Sequence, residues 1–241
     1  LFRLATLFLS PYNLHGDESQ YWAWSKDLDW GYYTKPPGIA AVIAFFTSIF
    51  GDAEWAVRIG SPILHSITAY VIYCTARFIY SGATGFWAAA FYLLMPGVFF
   101  SANLISTDVP LLLCWALALN AWVHLRENVS WPRALQLGFA LGLGFLCKYA
   151  MLFFLPAIIL AIIFDPPTRR ALLSLKGLVV LAIFIAWVTP NMIWNMNHDF
   201  ATLTHTAANA DYAAGSIPFK PIALLEFIAE QLAVFGPVSF I

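Results

Sequence analysis

Apolar runs close to membrane-spanning length recur along this chain and constrain its fold more than any other feature. A helix that crosses a bilayer needs about 20 apolar residues. The candidate spans are 1–12 (incomplete), 55–79, 83–101, 109–125, 134–147, 149–164, 177–195 and 222–241. Only 10% of the residues are charged, against about 25% in soluble domains. The sequence therefore predicts an all-α, polytopic transmembrane helix bundle and excludes a soluble or disordered protein.

The few charges are divided between the two ends of the predicted spans. Short cytoplasmic loops carry an excess of basic residues, and the residues that fit this side are Arg77, Arg126, Arg133, Arg169, Arg170 and Lys176. The opposite loops carry Asp17, Glu18, Asp27, Asp29, Asp52, Glu54, Asp108, Asp199 and Asp211. We expect the polar site of the protein on this acidic, non-cytoplasmic face. The net charge of −1 predicts no nucleic-acid partner.

The first outer loop, residues 13–54, is the most polar part of the chain. Asp17 and Gln20 have the spacing of an N-cap and N3 pair, which predicts a helix from Glu18 to about Leu28. Its aromatic residues make it an amphipathic helix that lies in the interface. The apolar stretch 38–50 is too short to span a bilayer and suits an interfacial or re-entrant helix.

Two smaller features complete the description of the chain. Glycines 138, 142 and 144 are spaced for close helix–helix packing in lipid, since no strand precedes them as in a phosphate-binding loop. The chain opens at Leu1 and ends at Ile241 inside apolar stretches, so we expect it to be part of a longer protein.

An ordered series of motifs resembles a known family. The motifs are Gly16-Asp17-Glu18-Ser19-Gln20-Tyr21-Trp22, Gly31-Tyr32-Tyr33-Thr34-Lys35-Pro36-Pro37, Gly51-Asp52-Ala53-Glu54-Trp55-Ala56-Val57-Arg58, Thr107-Asp108-Val109-Pro110, Lys148-Tyr149, Trp194-Asn195 and the His198…His205 region. The series resembles the GT-C glycosyltransferases of the polyprenyl-phosphate type. These include protein O-mannosyltransferases, aminoarabinose transferases of lipid A and galacturonosyltransferases of the lipopolysaccharide core.

The resemblance implies an activity and a location. It implies transfer of a sugar, with inversion, from a polyprenyl-phosphate donor to a lipopolysaccharide, lipid A, glycan or protein acceptor. The enzyme would be a multi-pass protein of the bacterial inner membrane, surrounded by membrane lipids, with its active site on the periplasmic side. The alternatives are a transporter or flippase that binds lipid-linked anions without chemistry, and a non-catalytic subunit that keeps the fold. A transporter is expected to hold its ionisable residues near the bilayer midplane.

The resemblance also suggests roles for individual residues. A carboxylate can accept the proton that the attacking acceptor hydroxyl loses, and the resemblance gives this role to Asp17, with Glu18 beside it. The phosphate of the donor gains negative charge as the sugar leaves, so nearby cations bind it more strongly in the transition state than in the ground state. The predicted donor-phosphate residues are Lys35, Lys148, Arg58 and Tyr149.

Lys148 lies between two apolar spans, where a cation at bilayer depth costs at least about 2.5 kcal/mol. We therefore expect Lys148 at the outer interface, paired with the donor phosphate. The predicted acceptor or sugar-binding residues are Tyr33, Asp108, His198 and His205. No cofactor is assigned, and Asp17 and Asp108 are the candidate ligands if a divalent cation binds.

Each of these residues also has a simpler structural interpretation. Asp17, Glu18 and Asp108 can cap helices or favour a helix N-terminus through their charge. Lys35 can be a lysine that snorkels to the interface, and the two histidines can be interfacial side chains. Only the positions of these side chains relative to one another distinguish the two interpretations.

Overall fold

The computed structural model describes residues 2–9, 12–209 and 221–236. In these ranges the chain is helical and contains no strand, which confirms the all-α prediction. The helices are α1 (Phe2–Leu9), α2 (Gly16–Trp24), α3 (Gly38–Phe50), α4 (Glu54–Arg58), α5 (Gly60–Ile79), α6 (Gly82–Leu94), α7 (Pro96–Ser101), α8 (Asp108–Glu127), α9 (Trp131–Cys147), α10 (Phe154–Phe164), α11 (Pro166–Leu172), α12 (Leu175–Asn197), α13 (Ala201–Asn209) and α14 (Pro221–Phe235). A 3₁₀ turn, Tyr149–Phe153, joins α9 to α10.

Length and apolar composition qualify α8 and α12 as membrane-crossing helices among the described residues. A third candidate is a broken span that consists of residues 149–164, the 3₁₀ turn with α10, followed by α11. The chain bends by 113° between its two parts. Helix α9 occupies the predicted span 134–147. Helices α1 and α14 fall in the predicted spans 1–12 and 222–241, parts of which lie outside the described residues. The full set of eight spans stays a prediction.

Two predicted spans are interrupted. The span 83–101 is divided into α6 and α7 at Met95, whose ψ of 130° is extended. A proline disfavours the helical conformation of the residue before it, and Pro96 follows. The span 55–79 is divided into α4 and α5 next to Arg58.

The centre of the bundle is α9, which packs between α8 and α12, while α5 packs between α6 and α8. A Cβ atom at Gly142 would lie 2.6 Å from Cβ of Trp187 in α12, and one at Gly138 would lie 2.9 Å from Cβ of Ile183. The absence of a side chain at these glycines lets the two helix backbones approach closely. Helix packing, as predicted, is their role.

The outer loop has a small core of its own. Tyr21, Ile39, Ile43, Val57 and Ile105 are buried against one another. They join α2, α3 and α4 to the segment that precedes α8.

Helix α2 differs from its sequence-based prediction. It begins at Gly16 and ends at Trp24, instead of extending from Glu18 to about Leu28, and His15 rather than Asp17 is its N-cap residue. The carboxylate at the N3 position is Glu18, whose Oε2 accepts a hydrogen bond from the backbone N–H of His15 at 2.9 Å. The competing Asp17–Gln20 pair has the same spacing, but it does not form the cap.

The residues predicted to be cytoplasmic gather at one end of the bundle. Arg126 bonds to Asp165, Arg133 Nη1 donates to Asn120 Oδ1 at 3.1 Å, and Lys176 lies 5.1 Å from the ring centroid of Trp131. The starts of α5 and α8 lie at the opposite end, beside the outer loop. The bundle therefore separates its basic end from the end that holds the predicted site.

Candidate active site

Segments far apart in sequence meet beside the N-terminus of α2. Oε1 of Glu18 accepts a hydrogen bond from the backbone N–H of Ile105 at 2.9 Å, which holds the residues before α8 against α2. Burial, and after it the negative charges of Asp17 and Asp108, raise the pKa of Tyr21 to about 12. Asp17 and Asp108 are thus within electrostatic reach of one side chain, although 91 positions separate them.

Glu18 and Arg58 form a buried ion pair. Arg58 Nε donates to Glu18 Oε1 at 2.9 Å, and Nη2 donates to Oε2 at 2.7 Å. The two residues are only 2% and 4% exposed. Arg58 also donates to the backbone oxygens of Tyr12 at 3.0 Å and Asn13 at 2.8 Å. The side chains that the sequence suggested for catalysis and for phosphate binding therefore bind each other and the loop around them.

The contacts of Glu18 keep its carboxyl group ionised. Burial alone would raise the pKa of this group, but hydrogen bonds from Arg58 and from the backbone N–H groups of His15 and Ile105 outweigh burial and lower it. An ionised carboxylate with four donors is a poor proton acceptor. These contacts favour a positioning role for Glu18.

Removal of one partner should expose the structural role of this pair. We expect Glu18→Gln to lower the free energy of unfolding by about 3–5 kcal/mol, because the substitution leaves Arg58 buried without its anion. Thermal unfolding of the detergent-solubilised protein measures the change, with the exposed neighbour variant Asp17→Asn as control. A Glu18→Gln protein of wild-type stability would contradict this structural role.

Asp17 has the opposite environment. It is exposed on the first turn of α2, and its carboxylate makes no hydrogen bond or ion pair with the described residues. The helix-cap interpretation does not apply, because His15 occupies that position. Asp17 is a carboxylate free to meet a ligand at a fixed place on a helix.

Asp108 and Lys148 pair with each other. The distance between Lys148 Nζ and Asp108 Oδ1 is 2.7 Å, and their side chains are 37% and 52% exposed. Thr107, not Asp108, is the N-cap residue of α8. Lys148 is in extended conformation between α9 and the 3₁₀ turn, at the site end of the bundle as predicted. Its partner in the structure is a carboxylate on a neighbouring helix.

Lys35 lacks such a partner. At the site end of the described chain, Lys26 pairs with Asp52, Arg58 with Glu18 and Lys148 with Asp108, whereas the half-buried Lys35 pairs with no carboxylate. The hydroxyl of the preceding residue, Thr34, is buried and has no hydrogen-bond partner in the part of the chain that is described. Unsatisfied buried polar groups are rare, so a free ammonium and a free hydroxyl side by side indicate a ligand site.

A buried polar network holds the turn that carries Lys35. Thr202 Oγ1 donates to the backbone oxygen of Tyr32 at 2.5 Å, and Asn191 Nδ2 donates to that of Trp30 at 2.6 Å. Tyr149 donates to Asn191 Oδ1 at 2.9 Å. Within the turn, the N–H of Tyr32 donates to the carbonyl of Lys35 at 3.1 Å.

The sequence singled out Tyr149 for phosphate binding, but the structure places its hydroxyl inside this network. Asn191 and Thr202 were missed. Two asparagines four residues apart, Asn191 and Asn195, inside an apolar span were the available signal, because they lie on one face of a helix.

The network offers a test of how the turn is held. We expect Thr202→Val to lower the free energy of unfolding by about 1–3 kcal/mol, because it leaves the buried carbonyl of Tyr32 unsatisfied. Thr202→Ser keeps the hydroxyl and should restore wild-type stability. Equal thermal unfolding of all three proteins in detergent would contradict this role.

The two histidines lie near the same turn. The ring centroids of His205 and Tyr33 are 5.6 Å apart, and His198 stacks on Trp194 at 3.9 Å. Tyr33 and His198 line a cavity of about 670 Å³ beside Asp27, Asp29 and Asp199. The structure thus brings Tyr33, His198 and His205 to one region. Asp211 lies outside the described residues.

A larger apolar cavity of about 1050 Å³ lies beside the residues that flank the Lys35 turn. Pro37 and Gly38 line it just after Lys35 in the chain, and Asp29 borders both cavities. Most of its wall is aliphatic and aromatic and comes from α3, α5, α8, α9 and α12. The segment 28–38, which contains Lys35, therefore contributes residues to the walls of both cavities.

The described residues do not form a metal site of the usual kind. They contain no group of three or more His, Cys, Asp or Glu side chains that could hold an ion. Asp108, one of the two predicted ligands, bonds to Lys148. A divalent cation bound by Asp17 and Asp108 stays a prediction, and no step below depends on it.

The helical bundle has the fold of the GT-C membrane glycosyltransferases. The fold resembles the crystal structure of ArnT from Cupriavidus metallidurans in the apo state, with a TM-score of 0.68 and 20% sequence identity. The alignment covers 85% of this chain and 43% of that one.

The chain belongs to the dolichyl-phosphate-mannose-protein mannosyltransferase family, whose model matches residues 34–194. It is 39% identical to the lipid A galacturonosyltransferase RgtD of Rhizobium johnstonii over 100% of this chain and 50% of the relative. It is 25% identical to the lipopolysaccharide core galacturonosyltransferase RgtA of the same organism, over 94% of this chain and 48% of the relative.

A third relative is the undecaprenyl phosphate-alpha-4-amino-4-deoxy-L-arabinose arabinosyl transferase of Pseudomonas savastanoi, which is 28% identical over 63% of this chain and 32% of the relative. The chain spans half or less of the length of these curated relatives. The relatives and the apolar helices make this a bacterial membrane protein.

Proposed function

We propose that the protein is a membrane glycosyltransferase that moves a sugar from a polyprenyl-phosphate donor to lipopolysaccharide. Galacturonic acid is the proposed sugar and lipid A the proposed acceptor, because the 39% identical relative bears that name and aligns with the whole chain. The observation that carries the proposal is the pattern of ion pairs. At the site end of the described residues, Lys26, Arg58 and Lys148 bind carboxylates while Lys35 and Asp17 have no ionic partner.

The two free groups suit the two charges that the reaction develops. The acceptor oxygen attacks the anomeric carbon, its proton goes to the Asp17 carboxylate, and the bond between that carbon and the phosphate oxygen breaks. The departing lipid phosphate gains negative charge, which Lys35 stabilises more in the transition state than in the ground state. Attack opposite to the leaving phosphate inverts the configuration at the anomeric carbon.

The remaining side chains support this arrangement. We place the polyprenyl chain in the apolar cavity next to Pro37 and Gly38 and the acceptor sugar on the polar side, near Tyr33, His198 and His205. Lys148, which has donors to spare beyond its bond to Asp108, is a second phosphate ligand in this proposal. Asp108 then orients Lys148, and Glu18 with Arg58 fixes the helix that carries Asp17.

The distribution of charge between the two ends of the bundle bears on which side of the membrane the site faces. Because the basic flanks lie at the opposite end, the positive-inside tendency supports a site on the periplasmic side of the inner membrane. The relatives reported above are glycosyltransferases, and none of them favours the transporter alternative.

The test uses the full-length protein in cells. Mass spectrometry should find one glycosyl residue missing from lipid A when the gene is deleted, together with accumulation of its lipid-linked donor. Purified protein supplied with donor and deacylated acceptor in one compartment should then transfer the sugar. Loss of the glycan in cells without transfer by the purified protein would favour a transporter.

A further inference from the structure

A third cavity, of about 640 Å³, lies at the basic end of the bundle. Helices α5 and α8 begin beside the candidate site and end at Ile79 and Glu127, and α10 leads from the Lys148 junction to Phe164. The cavity lies between the far ends of these three helices. It is therefore separate from the site proposed above, and the inference below is independent of the proposed function.

The shape of this cavity is fixed by a sharp corner between α10 and α11, which meet at 113°. Asp165 caps α11, and its Oδ2 accepts a hydrogen bond from the N–H of Thr168 at 3.0 Å. Thr168 is fully buried, and its hydroxyl oxygen accepts a hydrogen bond from the indole N–H of Trp122 at 3.0 Å. Arg126 binds both oxygens of Asp165, at 2.9 and 3.1 Å. The corner is thus tied to α8 at two places.

The lining changes from apolar to charged along the cavity. The apolar lining residues are Phe78, Ile79, Leu119, Trp122, Val123 and Ala161. The polar end consists of Arg126, Glu127, Asp165 and Thr168. An occupant that matches both parts has a hydrocarbon chain and a polar headgroup, and the lipid bilayer supplies such molecules at this depth.

The charges at the polar end identify the kind of headgroup. One guanidinium and two carboxylates leave a net negative charge, which disfavours a purely anionic lipid. Arg126 uses three of its five N–H groups on Asp165 and Glu127, so two remain for a phosphate. Oε2 of Glu127 accepts no hydrogen bond from the described residues and is available to an ammonium group.

We propose that this cavity is a binding site for a phospholipid with an ammonium headgroup, of the phosphatidylethanolamine type. Its phosphate binds Arg126, its ammonium binds Glu127, and one acyl chain lies along Ile79, Val123 and Ala161. The lipid fills the corner between α8 and α10 and completes the packing at the basic end of the bundle.

Native mass spectrometry of the full-length protein tests this site. Detergent-purified protein is incubated with equal amounts of phosphatidylethanolamine and phosphatidylglycerol, and the retained lipids are counted. We expect preferential retention of one phosphatidylethanolamine molecule. Ala161→Phe, which fills the apolar part, should abolish that retention, while an unchanged thermal unfolding transition shows that the protein is folded.

Glu127→Gln tests the headgroup contact. It should reduce the preference for phosphatidylethanolamine about two- to fivefold, the range expected for a partly exposed ion pair. Glu54→Gln, which changes another exposed glutamate at the other end of the bundle, should leave the preference unchanged. Equal retention of the two lipids by the wild-type protein, or retention unaffected by Ala161→Phe, would overturn the proposal.

Discussion

Replacement of Asp17 by asparagine is expected to abolish sugar transfer while leaving the bundle folded. If Asp17 accepts the acceptor proton, the amide removes general-base catalysis, which contributes about 10²–10⁴-fold to the rate. Asparagine has the same size, and Asp17 makes no hydrogen bond or ion pair with the described residues that the change could break. Transfer from lipid-linked donor in proteoliposomes, with thermal unfolding of the same preparation, measures both effects.

Asp52→Asn is the matched control for this variant. Asp52 is also an exposed carboxylate of the outer loop, but its pair with Lys26 lies on the surface, where such pairs contribute about 0–1 kcal/mol. We expect its turnover to stay close to that of the wild type. Near-normal turnover by Asp17→Asn would exclude Asp17 as the general base.

The helical bundle was predictable because apolar runs of span length leave the backbone few alternatives in lipid. Errors occurred where two local signals compete. At the start of α2, residues 15 and 18 and residues 17 and 20 both have cap spacing, and the contacts of Glu18 with Arg58 and Ile105 favour the first pair. These contacts come from distant parts of the chain, so local spacing could not decide between the pairs.

The sequence predicts that the candidate residues lie at one face, but it does not predict how they pair. The sequence gathers acidic and basic residues at one face, yet it does not show which of them neutralise each other. Glu18 lies 40 positions from Arg58, and Asp108 lies 40 positions from Lys148. Because both pairs join segments that are distant in the sequence, only the packed bundle distinguishes the free residues Asp17 and Lys35 from the paired ones.

Lys35→Met is expected to lower kcat/KM for transfer about 10²–10³-fold, the effect of removing one group that stabilises a developing negative charge. Methionine preserves much of the apolar stem, so a lysine that only snorkels to the interface would tolerate the change. Steady-state rates with varied donor distinguish the two roles. A phosphate ligand should lower kcat as well as raise KM, since the charge that it stabilises grows in the transition state.

Lys26→Met provides the comparison, because Lys26 lies in the same outer loop but is paired with Asp52. Its removal should leave kcat/KM within about twofold of the wild type, as expected for an exposed ion pair. The contrast between the two lysines tests the central claim that the unpaired cation serves the donor phosphate. A small effect of Lys35→Met together with a large effect of Lys148→Met would instead indicate that Lys148, in its pair with Asp108, binds the donor phosphate.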